Sequence, residues 1–205
     1  MSNDRTEVAR PVVHQQGLHV VAMAMLIFCA TLMMYAGNMS GSTALFACAA
    51  LFMSDIALGV HVRTREMAAG ATSRTHVDLA ALLLPAVLVA LTAWGLPHQF
   101  SDMAFVSGLL VAVVSIPVVL ISFIAGRLLR RASASAADHA VHKRGMIRLA
   151  ALAASLVAGV LAFQSFSAIP DALVTIPIVL LAATNVVAIF LRGTSTAAAR
   201  SPIAT

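Results

Sequence analysis

The chain has 205 residues, 60% hydrophobic and only 10% charged, with a mean hydropathy of +0.96 and a formal charge of +5. That balance excludes an ordinary water-soluble domain, which carries roughly a quarter charged residues, and a disordered chain, which needs low hydrophobicity and high charge. Two cysteines exclude a disulfide scaffold, and an aromatic share of 5% with no basic stripe on a folded face speaks against nucleic acid as a partner.

A bilayer core about 30 Å thick takes about 20 largely apolar residues in helical form. Six blocks meet that length: 18–36, 43–60, 78–95, 103–125, 147–168 and 171–191. Helices are expected because lipid offers no partner for an open backbone amide. A closed barrel would instead show short alternating segments, and none are visible. The first block is too long and begins too late for a cleaved signal peptide, and it reads as a retained span. The expected fold is therefore an all-α polytopic membrane protein, a single six-helix domain over 18–191 between tails 1–17 and 192–205.

Short joints at 37–42, 96–102 and 169–170, rich in Gly, Pro, Asn and Ser, arrange these spans as three helical hairpins. These joints carry no Lys or Arg. Twelve of the thirteen basic residues lie in the N-terminal tail, between spans two and three, between spans four and five, or after span six, and Arg148, at the very start of span five, is counted with the joint between four and five. Positive residues are retained on the cytoplasmic side, so both termini are expected in the cytoplasm of a cell whose membrane, in a bacterium, is the inner one. Membrane lipids are the first partners this charge implies.

In span two, Asp55 is the one acidic residue well inside an apolar block. An aspartate at mid-helix costs about 2.5–3.5 kcal/mol on insertion scales, and such residues mark ion or proton pathways. Asp55 lies about 7–8 Å from the basic end of its span at 1.5 Å per residue. An arginine such as Arg63 reaching back would make it a structural pair instead. Asn185 in span six lies at a similar depth, which makes Asp55 and Asn185 the candidate pair for ion or proton coupling. Ser54, Ser122, Ser155 and Thr184 fall in the same half and are candidates to line a polar cavity. Hydroxyls that bond their own preceding turn are the plainer account of these four.

Three spans contain a proline, at 85, 117 and 177, each freeing a carbonyl that could serve a solute. Span five carries small residues every four positions at Ala150, Ala154, Ala158 and Ala162, with Ala151, Ser155 and Gly159 beside them. This is a face suited to close packing, within the chain or against a second copy. His19 and His61, near the basic ends of spans one and two, are the pair a haem or metal would need. They lie at the membrane edge and no ligand spacing accompanies them, so no cofactor and no metal is expected. The methionines and two cysteines of the first hairpin are expected to fill apolar space.

Residues 44–58, ending in Leu51-Phe52-Met53-Ser54-Asp55-Ile56-Ala57-Leu58, faintly resemble one helix of the YhhN-type lysoplasmalogenases, multispanning lipid hydrolases. The resemblance covers about a tenth of the chain, and in that family the segment lies late in the sequence. It implies lipid-directed chemistry.

Three functions fit these observations. The first is a small transporter or permease, coupled to protons or cations through Asp55 and working as a homo-oligomer. The second is an accessory subunit or assembly factor held to a membrane-protein partner. The third is an intramembrane lipid-modifying enzyme, which would need His19 or His61 as acid–base partner to Asp55. More than one class is open, and non-enzymatic function is the leading expectation.

Overall fold

A computed structural model of the protein describes residues 4–67, 74–100, 106–132 and 137–198, with side chains at 17–60, 82–100, 106–132 and 143–191. Six α-helices account for it: α1 (Asp4–Ser40), α2 (Thr43–Met67), α3 (Arg74–Gly95), α4 (Gly108–Ala132), α5 (Ala137–Ser165) and α6 (Ile169–Ala198). One 3-10 turn, Leu96–Phe100, follows α3, and the described residues contain no strand. Every helix holds a stretch long and apolar enough to cross a bilayer. This is an all-α, six-span membrane protein.

The helix ends depart from the apolar blocks for local reasons. α1 runs four residues beyond 36 and stops where Gly41 adopts φ 72°. Ser42 N–H then bonds back to Gly37 O at 3.1 Å, which closes the helix in a Schellman turn. α5 ends at Ser165, short of 168, by the same device: Phe166 takes φ 52° and Ser167 N–H bonds to Ala162 O at 3.3 Å. A phenylalanine there, where glycine is usual, is held in a left-handed conformation and is 81% exposed. α4 begins at Gly108, with Ser107 O accepting Val111 N–H at 3.1 Å. At the other ends α1, α2, α5 and α6 all run past their apolar stretches, because a helix leaving lipid keeps its backbone bonds in water.

α2 is the centre of the bundle. Within its span 78% of residues are buried, against 17–39% for the other five. Ala44, Ala47, Cys48, Ala49 and Ala50 give it a thin waist. Small side chains let neighbouring backbones approach closely, and α2 packs against α1, α3, α5 and α6. Around it the other helices form an arc in the order α3, α6, α5, α4, α1. Of the three sequential pairs, α1–α2 and α5–α6 pack side by side, whereas α3 and α4 separate to opposite flanks. Their ends are tied to different parts of the α1–α2 turn: Gln99 Nε2 donates to Gly41 O at 2.7 Å, and Ser107 N–H to Ser40 O at 2.9 Å.

The small-residue face of α5 packs within the chain. Ala151, Ser155, Ala158, Gly159 and Ala162 are buried, while Ala150 is exposed, so the stripe is rotated slightly from an Ala150-led row. Gly108 of α4 lies against Gly159, and a Cβ there would overlap the Gly159 carbonyl and the Phe163 Cβ. Gly108→Ala should therefore lower stability by about 1–3 kcal/mol, the usual cost of overpacking. The change would be read as a lower thermal midpoint in mild detergent. An unchanged midpoint would show that this crossing is loose.

The prolines do not break their helices. α3, α4 and α6 run continuously through Pro85, Pro117 and Pro177. Pro85 is buried, whereas Pro117 and Pro177 lie on exposed faces, so neither opens a carbonyl toward the interior of the bundle. The exposed surface is apolar, as lipid contact requires, with Leu109, Ile116, Leu120 and Leu180 more than half exposed. Trp94, Phe100, Phe163 and Phe166 project near the ends remote from the basic residues, the placement of an interfacial aromatic belt.

Candidate functional site

Asp55 is brought to a junction of three helices. It lies on α2, 7% exposed, with Arg148 of α5 and Asn185 of α6 turned toward its carboxylate. The placement follows from α2 being central: twelve residues after Thr43, or about 18 Å along the axis, any α2 side chain is surrounded by neighbouring helices and not by lipid.

Each carboxylate oxygen has its own partner. Asn185 Nδ2 donates to Asp55 Oδ1 at 2.9 Å, and Arg148 Nη1 lies 3.7 Å from Oδ2. The same Asn185 nitrogen reaches Ser54 Oγ at 3.1 Å, and Ser54 Oγ donates to Leu51 O at 2.8 Å. Both amide hydrogens of Asn185 are thus committed toward α2. Arg148 is 4% exposed and its guanidinium stacks over the Phe52 ring, 5.6 Å from the centroid. A cation over an aromatic face gains roughly 0.5–2 kcal/mol, more where water is excluded.

The pair is neutral overall but not tightly bonded. A separation of 3.7 Å exceeds a hydrogen bond, so attraction between the charges holds Arg148 without the bidentate fork that would lock it. Burying either charge alone carries a penalty of several kcal/mol, and each group therefore depends on the other. Arg144, one turn earlier on α5, adds positive potential at the same carboxylate.

The residues expected to form one polar layer divide. Ser54, Asp55 and Asn185 meet. Ser122 is buried on α4, with its Oγ 4.0 Å from Cys29 Sγ, and Ser155 is buried on α5 with no hydrogen-bond partner among the described residues. Thr184 is exposed and bonds Leu181 O in its own helix at 2.7 Å. The side chains of Arg63 and His61 lie outside the described residues; His19 is half-buried on α1. Among the described residues no three His, Cys, Asp or Glu side chains gather as a metal site would require.

Arg148 is the residue that sequence reasoning missed. It closes the basic run Lys143, Arg144, Arg148 and in sequence looks like one more loop charge that sets orientation. The available signal was its setting: Met146-Ile147 before it and Leu149-Ala150-Ala151 after it already belong to an apolar span, and the chain held one interior carboxylate in need of a cation.

A second buried carboxylate lies at the opposite end of α2. Asp171, 0% exposed in the first turn of α6, accepts Ser42 Oγ–H at 2.6 Å through Oδ1. Its Oδ2 accepts Thr43 Oγ1–H and Ala44 N–H, both at 3.1 Å. Ser42 Oγ also accepts Leu45 N–H at 3.2 Å, so Ser42 is the N-cap of α2 and Asp171 caps the same helix from another. Thr175 lies 2.9 Å from Thr43 Oγ1 and donates to Asp171 O at 2.7 Å. A carboxylate at a helix N-terminus is favoured by the open amides and the helix dipole. Both carboxylate oxygens of Asp171 are used in holding α6 to α2, which is a structural role.

No family model matches the chain, and no curated protein is significantly similar to it. The geometry of the Asp55 junction is what a functional reading has to work from.

Proposed function

We propose that this protein is a small permease that moves hydrophilic anions together with protons, with its basic end and both termini on the cytoplasmic side of a bacterial inner membrane. The observation that carries the reading is the loosely held ion pair of Asp55 and Arg148, buried between α2 and α5. An intramembrane ionisable residue is a candidate for a proton or ion path by default. Here the carboxylate faces a cation that could serve a second anion equally well.

With Asp55 ionised, its charge neutralises Arg148. Protonation on Oδ2, the oxygen facing the guanidinium, removes that counter-charge, and the pair no longer holds. An anionic solute then takes the place of the carboxylate on Arg148. When Asp55 releases its proton, the restored pair expels the solute. One proton and one negative charge move together, and neither charge is left bare in the interior.

A metal cation is a poorer fit to the same residues. A guanidinium about 4 Å away repels a unit positive charge by about 4 kcal/mol at an effective dielectric constant near 20. Asn185 also presents its amide nitrogen, and not its carbonyl oxygen, to Asp55 and Ser54. The proton is therefore the coupling ion this reading adopts.

The test is uptake of labelled phosphate, sulfate and succinate into proteoliposomes with an acid exterior. At least one of these anions should accumulate in response to the pH gradient. Asp55→Asn should abolish the gradient-driven component, and Arg148→Gln should abolish anion uptake with or without a gradient. The double variant D55N/R148Q, which leaves no unpaired charge, separates loss of transport from loss of folding. Full gradient-driven uptake by Asp55→Asn would remove the carboxylate from the mechanism.

A further inference from the structure

A groove of about 180 Å³ opens between α4 and α5 at the basic end of the bundle. That is far more room than the roughly 10–15 Å³ one water needs on the same kind of measure. Two glycines make it. A Cβ at Gly126 on α4 would meet nothing within 4 Å, and across the groove one at Gly145 on α5 would meet a single side-chain atom. Arg148 Nη2 is the nearest atom behind Gly145, 3.9 Å from where its Cβ would be.

The walls are of two kinds. Arg127 and Arg130, one turn apart on α4, give the groove its charge, and Arg127 is steadied over the Phe123 ring at 5.0 Å. Neither arginine has an ion-pair partner among the described residues. Deeper in the span the lining is Phe123, Met146 and Leu149, of which Phe123 and Met146 are about half exposed to lipid. Positive charge at the edge of the apolar region with an oily wall beneath it matches an amphiphile carrying a negative head. Arginine forks suit phosphate in particular.

We propose that this groove seats one anionic phospholipid, its phosphate on Arg127 and Arg130 and its acyl chain along Phe123, Met146 and Leu149. The proposal stands apart from anion transport, because Asp55, Arg148 and Asn185 are not among the residues that line the groove. The occupant is a lipid and not a free phosphate because the apolar wall continues without a break into the lipid-facing surface of α4 and α5.

Native mass spectrometry of the full chain, released from mild detergent after addition of phosphatidylglycerol or phosphatidylcholine, tests this. One phosphatidylglycerol should be retained in preference to phosphatidylcholine. The variant R127Q/R130Q should lower that retention by about tenfold or more, the size expected for two basic residues near a membrane surface. Gly126→Leu fills the groove without altering charge and should lower it as far. Arg131→Gln, an exposed neighbour on the same helix that does not line the groove, should leave it unchanged. Equal loss on Arg131→Gln, or equal retention of the two lipids, would overturn the proposal in favour of diffuse surface charge. Inorganic phosphate that displaces the lipid and stays bound alone would overturn it in favour of a free-anion site.

Discussion

Asp55→Asn is expected to destabilise the bundle by about 3–5 kcal/mol, the usual cost of breaking a buried ion pair by removing one partner. The loss arises less from the missing attraction than from the guanidinium left behind. Arg148 is 4% exposed and rests on Phe52, so it cannot swing to water without vacating its place in the packing. Arg148→Gln should cost a similar amount for the mirror-image reason, leaving a bare carboxylate against Asn185. The double variant D55N/R148Q removes both charges and keeps groups that can hydrogen-bond. It should recover most of the loss, so that the coupling between the two sites is strongly favourable. Thermal midpoints of the four proteins in one detergent close this cycle. Additive losses would mean that the two residues do not act as a pair.

Asp171→Ala is expected to cost about 3 kcal/mol or more, since hydrogen bonds to a charged group are worth about 1.5–3 kcal/mol each and three converge on this carboxylate. The Ser42 hydroxyl and the Ala44 amide would be left without this acceptor in a fully enclosed site, and the Thr43 hydroxyl would be left with Thr175 Oγ1 alone. Asp171→Asn keeps one oxygen and should lose about half as much, by the same count of bonds. Urea or thermal unfolding in detergent measures both. The two acidic sites should also separate by function: a folded Asp171→Asn protein should keep the transport proposed for Asp55. A small effect of Asp171→Ala on stability would show that Ser42 alone suffices to cap α2.

The six spans were legible because lipid imposes a length of apolar sequence that no other environment demands. Asp55 and Asn185 were legible because depth can be counted in residues from a span end, and both counts came out alike. Arg148 was hidden by its neighbours. A basic residue beside Lys143 and Arg144 resembles a topogenic charge, and only packing reveals that its helix turns it inward, against α2. Asp171 was hidden differently. It opens a span next to a proline, as many turn residues do, and its partners Ser42, Thr43 and Ala44 stand some 130 positions earlier in the chain. The divergence of α3 and α4 was not legible at all. A short joint predicts neighbours, and here the joint is outweighed by where its two ends are hydrogen-bonded.

The position of α2 bears on how the chain is made. The innermost helix leaves the ribosome before the helices that satisfy its buried carboxylate, α5 and α6. Until they arrive, a half-finished chain carries an aspartate with no cation beside it and a helix start with no distant cap. Asp55 and the start of α2 therefore gain their full set of partners only when α5 and α6 have been made and packed against α2. The centre of this bundle is finished by helices made well after it.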